Sequence, residues 1–373
     1  MLSSTHVTGD TGHLSDHNIL ATRVLDVRDY ADIYHAVAAM PSGGQLYVPG
    51  IHVIGPAPLV LPSNFRLFGD GYSSQIVSWA NQGFTHISDE TVITTFVSGM
   101  IYAPGENVVI DLLRVSGGWT PTGIGTITHN ILFGINSVDC KLSNCWLDGA
   151  GWSGVLLRGS GHSAHDCISK ANAVDGFEVW GSDIEITHNR TRNNGLAGIE
   201  VLPTVGGLIN QDGVIVSLNK SNGDSIGIAS SPDDARNLTN LIISGNIMRS
   251  CPNRAINIKS GGTCKNVVVN GNIIDQTLGA GSYGTGISVG AGVDGFVVSE
   301  NMINDTDTAD GPSAISVEGD AANGVISANQ INNCWLGIYS GGTGTGLSFS
   351  DNIVANARGA QYGITNGTSS NNL

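Results

Sequence analysis

Two short runs of alternating apolar and polar residues recur along most of this chain, a turn apart, every 22 to 30 residues. The first run reads apolar-x-x-Asn-x-apolar. It appears as Leu142-Ser143-Asn144-Cys145-Trp146-Leu147, Ile186-Thr187-His188-Asn189, Val216-Ser217-Leu218-Asn219 and Ile243-Ser244-Gly245-Asn246-Ile247. It continues through Asn272, Asn301, Asn329 and Asn352, and Asp166 fills the one missing place. The second run reads Gly/Ala-apolar-x-apolar, as in Gly154-Val155-Leu156-Leu157, Gly176-Phe177-Glu178-Val179, Gly198-Ile199-Glu200-Val201 and Ala255-Ile256-Asn257-Ile258. Strict alternation predicts strands with one face in a core. Two such strands per repeat, with a fixed Asn between them, predict the coils of a parallel β-helix. Each coil then stacks about 4.8 Å above the last. The recurrent Asn is expected in a left-handed turn, its amide bonding the Asn above and below.

Before residue 130 the pattern is looser. Asp29 to Met40 reads as one amphipathic helix, capped by Asp29 and ended by Pro41-Ser42-Gly43-Gly44. Short strands follow at Gln45–Pro49, His52–Ile54 and Phe65–Gly71. A helix there would cover the open end of the first coil, where a solenoid exposes unpaired edges and apolar core.

Composition agrees with an all-β reading. Of 373 residues 52 are Gly and 33 are Asn, both poor helix formers. The chain is 40% hydrophobic, enough for a core. Its net charge of −15 comes without clustered Lys and Arg, so neither a nucleic-acid groove nor an anionic membrane surface is an expected partner. No run of about 18 apolar residues suggests membrane insertion. Met1 to His6 lacks the basic and apolar regions of a signal peptide, so export by that route is not expected. The six Cys form no CxxC pair, which argues against zinc. Cys145 and Cys167 fall at equivalent repeat positions, where stacking as small buried hydrophobes or a disulfide are the two options.

Gly44-Gln45-Leu46-Tyr47-Val48-Pro49 after the helix, then Leu59-Val60-Leu61-Pro62-Ser63-Asn64-Phe65-Arg66-Leu67-Phe68-Gly69-Asp70-Gly71, resembles the beginning of pectate-lyase-like right-handed β-helices. That superfamily includes polysaccharide lyases, mannuronan C5-epimerases and phage tailspike depolymerases. The resemblance implies a right-handed, single-stranded parallel β-helix over residues 29–373 with an N-terminal cap helix. Mannuronan epimerases carry Tyr-Gly-Phe-Asp-Pro-His-Glu where this chain has Gly151-Trp152-Ser153-Gly154-Val155-Leu156-Leu157, so no catalytic residue carries over from them. Gly12-His13-Leu14-Ser15-Asp16-His17-Asn18 is similar to a segment found at the start of phage tail proteins. That likeness implies an attachment or trimerisation segment over residues 1–28. The expected setting is a virion tail, with other phage tail proteins and a host-surface polysaccharide as partners, and a homotrimer as the assembly.

The x position of the second run forms a row on the outer face: Leu156, Glu178, Glu200, Ala229, Asn257, Ser288, Ser316, Tyr339 and Thr365. Two places further on lie Arg158, Trp180 and Lys259. Glu178 and Glu200, neighbours on adjacent coils, are the candidate catalytic pair, because two close carboxylates repel and one can stay protonated as a general acid. Trp180 offers a sugar a stacking surface and Arg158 an anion contact, and Asn257 and Lys259 continue the binding row. The alternative is an ordinary charged, solvated face. Asp233, Asp234 and Arg236, with Arg254 and Lys259, form a second group. The resemblance implies, for a lyase, a basic residue that abstracts a proton beside a uronate carboxylate, and acids that hold Ca²⁺. Otherwise no metal or cofactor is expected. Three functions remain open: a tail protein that binds a surface polysaccharide, a polysaccharide hydrolase or lyase, and a purely structural tail protein.

Overall fold

A computed structural model of the chain describes residues 24–41, 43–55, 57–78, 98–118, 128–202, 210–232, 236–259, 261–276, 284–304, 306, 313–364, 367–370 and 372. The alternating runs form strands that pair in parallel with the equivalent run one coil on. One coil contributes Ile184–Thr187, Arg190–Arg192 and Ala197–Val201. These pair in register with Val214–Ser217, Lys220–Asn222 and Ala197↔Ile226 to Val201↔Ser230 of the next. Stacking the coils yields one sheet of 24 strands and one of 12 among the described residues. The solenoid is a parallel β-helix.

Register keeps every inward position on a single line. Ile186, Val216, Ile243, Val269, Val298, Ile326 and Phe349 pair in succession and are all fully buried. Each such side chain contributes roughly 1.5–3 kcal/mol by leaving water. Because side chains alternate with a period of two, a slip of one residue would turn this whole line outward, so the core itself fixes the register.

A buried amide ladder runs beside that core. The backbone N–H of Asn189 donates to Oδ1 of Asn219 at 2.8 Å, and the same bond repeats from Asn219 to Asn246, Asn272, Asn301, Asn329, Asn352 and Asn372. Each Nδ2 also reaches a strand carbonyl, as Asn246 does to Val216 O at 2.9 Å. The left-handed residue is not the Asn, as the repeat suggested, but the one before it: His188 (φ +58°), Leu218 (+58°), Gly245 (+63°) and Ala328 (+55°). An Asn whose amide must point inward three residues after an inward apolar side chain cannot also be the outward-facing turn residue.

The same geometry corrects the first two repeats. Asn144 and Asp166 are the left-handed residues (φ +51° and +56°), and the ladder slots belong to Cys145 and Cys167. Cys145 N–H donates to Cys167 Sγ at 3.4 Å, and Cys167 N–H to Asn189 Oδ1 at 2.9 Å. Both thiols are buried and, like the other four, free. They stack without a disulfide.

The helix is shorter than its pattern implied. It spans Ile33–Ala38, and Asp32 caps it by accepting from His35 N at 2.9 Å, while Val27–Asp29 form a separate 3₁₀ turn capped by Asp26. Asp32 offers the better cap because its side chain meets a free N–H of the first turn. Ile33, Ala36, Val37 and Met40 join the solenoid core with Leu46, so the helix does close its first coil. Val24–Asp26 already pairs with Gly44–Tyr47. Residues 1–23, which hold most of the expected attachment segment, lie outside the described residues.

Candidate functional site

The site grows from one corner of the 12-stranded sheet, where each coil turns into the strand of the second run. A second interior ladder sets that corner: Asn172 N–H donates to Asn194 Oδ1 at 3.2 Å, and Asn194 N–H to Asp224 Oδ1 at 2.8 Å. Gly176 is needed there because a Cβ would lie 2.4 Å from the carbonyl of Gly198. Its neighbours are thereby aimed outward.

Three outward columns follow. The expected one is reproduced, with Leu156, Glu178, Glu200, Ala229, Asn257, Ser288, Ser316 and Tyr339 paired in succession. Below it the column continues to Leu132 and Tyr102. At its upper end Tyr339 pairs with Gly363. Thr365, expected there, lies outside the described residues. Two residues further along each strand lie Arg158, Trp180 and Lys259, and three residues back lie His129, Ser153, Asp175 and Ala197.

This face is not solvated at its lower end. Glu178 is 2% exposed and Glu200 8%, and Arg158 and Trp180 are buried with them. Trp180 packs with Tyr102, Leu132 and Leu156, and with Leu202 beside them, and its Nε1 donates to Glu178 Oε1 at 2.9 Å. The indole edge thus meets the carboxylate. Arg158 lies over the indole ring, 5.5 Å from its centroid.

Asp175, which the repeat pattern did not single out, completes the group. One oxygen from each of Asp175, Glu178 and Glu200 lies within 4.8 Å of the others, and all three side chains are buried. Ser153 Oγ donates to Glu178 Oε2 at 2.8 Å and approaches Asp175 Oδ2 at 3.4 Å, and Ala197 N–H donates to Asp175 Oδ1 at 2.8 Å. His129, 1% exposed, holds Nδ1 3.9 Å from Glu178 Oε2. That nitrogen has no hydrogen-bond partner among the described residues. A sequence signal for Asp175 exists: the residue before each repeat Gly falls on this corner, as Ser153, Asp175 and Ala197 do.

Burial and crowding of like charge set the acidities. Burial raises Asp175 well above the usual carboxylate range, and the charges of Glu200 and Glu178 add to it. Burial, with the charge of Glu200 behind it, pushes Glu178 up to about 7 against hydrogen bonds from Ser153, Trp180 and Trp152. His129 is lowered to about 3 by burial and then by the charge of Arg158, so it is a neutral imidazole at pH 7. A cluster of this kind holds protons near neutrality and can give them up, the property a general acid requires.

The other expected residues disperse. Asn257 is buried on the carboxylate column, two coils above Glu200, about 10 Å away. Lys259 is exposed, and Arg254 lies half-buried at the opposite end of the strand Arg254–Ile258, about 16 Å from it along the chain. Arg236 is half-buried at the corner beside Thr263, whose N–H donates to its carbonyl. Asp233 and Asp234 lie outside the described residues. Of the described members of the second group, Arg254 and Lys259 stand at opposite ends of one strand.

The family described as "Right handed beta helix region" matches residues 129–303, which contain the whole carboxyl cluster. Among solved structures, the A-module of Azotobacter vinelandii mannuronan C-5 epimerase AlgE6 is 15% identical, with a TM-score of 0.70 over 93% of this chain and 98% of that one. A tailspike protein mutant of E. coli bacteriophage HK620, solved with a hexasaccharide, is 15% identical, with a TM-score of 0.63 over 88% of this chain and 61% of that one. Dettilon tailspike protein is 15% identical, with a TM-score of 0.64 over 92% and 68%. No curated protein matches the sequence. These likenesses establish the fold as a right-handed parallel β-helix.

Proposed function

We propose that this right-handed parallel β-helix is a tailspike-like phage protein that binds a host-surface polysaccharide along the outer face of its 12-stranded sheet. The observation that carries the reading is the composition of one column: two carboxylates, Glu178 and Glu200, then Asn257, Ser288 and Ser316, all of them buried, with exposed Tyr339 at its end. A column of carboxyl, amide and hydroxyl groups at steps of about 4.8 Å, interrupted at Ala229 and ending in an aromatic ring, suits the hydroxyls and ring faces of a glycan. The HK620 tailspike solved with a hexasaccharide lends the same fold to an oligosaccharide ligand. Assembly as a homotrimer in the virion tail belongs to the same reading, and sedimentation of the purified chain tests it.

Turnover is a second reading, favoured by the acidity of Glu178. A carboxyl held near 7 beside others whose oxygens lie within 4.8 Å is closer to the roughly 5–5.5 Å spacing of retaining glycosidases than to the roughly 6.5–9.5 Å of inverting ones. Glu178 would protonate the leaving glycosidic oxygen while Glu200 attacks the anomeric carbon, and water activated by Glu178 would release the glycosyl ester.

Incubation with capsular and cell-wall polysaccharides of candidate hosts tests both readings. Binding with new reducing ends, lost in Glu178→Gln while binding persists, supports hydrolysis. Release of unsaturated, ultraviolet-absorbing ends marks elimination instead and moves the chemistry away from this pair. Binding alone leaves an adhesin, and no binding across the panel overturns the proposal.

A further inference from the structure

We propose that Asp175, Glu178, Glu200 and His129 form a buried binding site for one divalent first-row transition ion, a site that goes beyond the polysaccharide-binding reading and does not depend on it. Three carboxylates with oxygens within 4.8 Å of one another are already grouped at nearly the distances a single ion imposes. Ligands about 2.1 Å from a common centre stand at most about 4.2 Å apart, so small side-chain rotations bring the three carboxylates onto one ion. His129 stands outside that mutual spacing and joins from the Glu178 side, where its Nδ1 lies 3.9 Å from Oε2. The independent observation is His129. The side chain is 1% exposed, and its Nδ1 has no hydrogen-bond partner among the described residues and lies 3.9 Å from Glu178 Oε2. A buried nitrogen without a partner is costly unless something outside the protein chain meets it.

Charge agrees: three carboxylates gathered this closely carry, when ionised, negative charge that one divalent ion offsets. The donor set selects among ions: an imidazole nitrogen with carboxylate oxygens suits Mn²⁺, Fe²⁺ or Zn²⁺, whereas Ca²⁺ takes oxygen ligands alone. An ion held there would link three coils within a run of four, from that of His129 to that of Glu200. It would also occupy Glu178 as a ligand, so hydrolysis by Glu178 and metal binding by the cluster exclude each other.

The test uses the full chain, stripped with a chelator and then titrated calorimetrically with Mn²⁺ or Zn²⁺ alone. One ion per chain is expected, with a rise in melting temperature, and His129→Ala and Glu200→Gln should each weaken binding at least tenfold. Glu318→Gln, an exposed change on the same face, should leave it intact. Mn²⁺ bound to the unaltered chain should show ¹⁴N coupling from one imidazole in pulsed electron paramagnetic resonance, a readout that does not rely on any variant folding. Failure to take up either ion, or uptake without nitrogen coupling, overturns the site. Glycan binding measured on the stripped chain reports separately on the proposed function, so either can fail alone.

Discussion

A carboxyl group buried beside two others makes folding depend on pH in a direction that can be worked out. Glu178 has a folded pKa of about 7, above its unfolded value, so the folded chain holds that proton more tightly. Stability from this source is complete below the unfolded pKa of about 4.3 and is lost as pH rises through about 7. The chelator-treated chain should therefore lose about 3 kcal/mol between those limits. Glu178→Gln, which cannot ionise, should flatten that loss and make the chain more stable than the parent at about pH 8. Denaturant midpoints across the range decide the matter, and an unchanged slope in the variant would remove Glu178 as its source. Backbone strain gives a second residue-scale expectation. Leu218 takes a left-handed conformation (φ +58°) at the turn slot that Gly245 and Gly271 fill elsewhere, and its side chain is 50% exposed. Leu218→Gly should stabilise by roughly 0.5–1 kcal/mol, because the backbone strain is relieved and little buried surface is lost. A measured loss of stability would mean that the Leu218 side chain, packed near Gly245, contributes more than its strain costs.

At the scale of the coil, the ladder is the element most exposed to a single change. Asn246 accepts from Asn219 N–H at 2.9 Å and donates to Val216 O at 2.9 Å and to Asn272 Oδ1 at 3.0 Å. Asn246→Ala leaves a buried N–H and a carbonyl without partners, and should cost about 2–5 kcal/mol. Asn356→Ala, at an exposed turn whose amide bonds Asn332, loses no buried bond but puts Ala at φ +56°, and should cost about 1 kcal/mol. Equal losses in urea denaturation would deny the ladder its role. The ladder also shows how much of the coil was legible. Strand positions followed from alternation, since a period of two is written directly into side-chain polarity. The slot of the Asn was misassigned in two repeats because Asn144 and Asp166 favour left-handed turns and look like ladder residues. Only the spacing from the inward apolar residue, three places to Cys145 and Cys167, separates the roles. The candidate site was legible in the same uneven way. Pairing of Glu178 with Glu200 followed from the repeat, but their burial did not, because it depends on neighbours such as Trp180, whose indole N–H bonds Glu178, that alternation does not mark. Asp175 and His129 sit at a corner whose outward direction no alternation marks.

Across the whole molecule, each coil touches chiefly the coils above and below, so stability is closer to a sum of neighbour terms than to one indivisible core. The six buried thiols sample that length: Cys140, Cys145 and Cys167 near one end of the matched region, Cys251 and Cys264 further along, and Cys334 beyond. All six are buried, and burial pushes Cys140 up to about 11, Cys251 and Cys264 to about 12, and Cys167 well above the usual thiol range. An alkylating reagent at neutral pH should therefore modify none of them in the native chain and all six in strong denaturant. At intermediate denaturant the nearest-neighbour argument separates them. Cys140, Cys145 and Cys167 lie within two coils of one another and should open together, whereas Cys334, several coils away, should follow its own midpoint. Mass spectrometry of the alkylated peptides reads each thiol independently. A single midpoint shared by all six would mean that the core line from Ile186 to Phe349 couples the coils into one cooperative unit. In that case a change at Asn246 would be felt in the labelling of Cys334 as strongly as in that of Cys251.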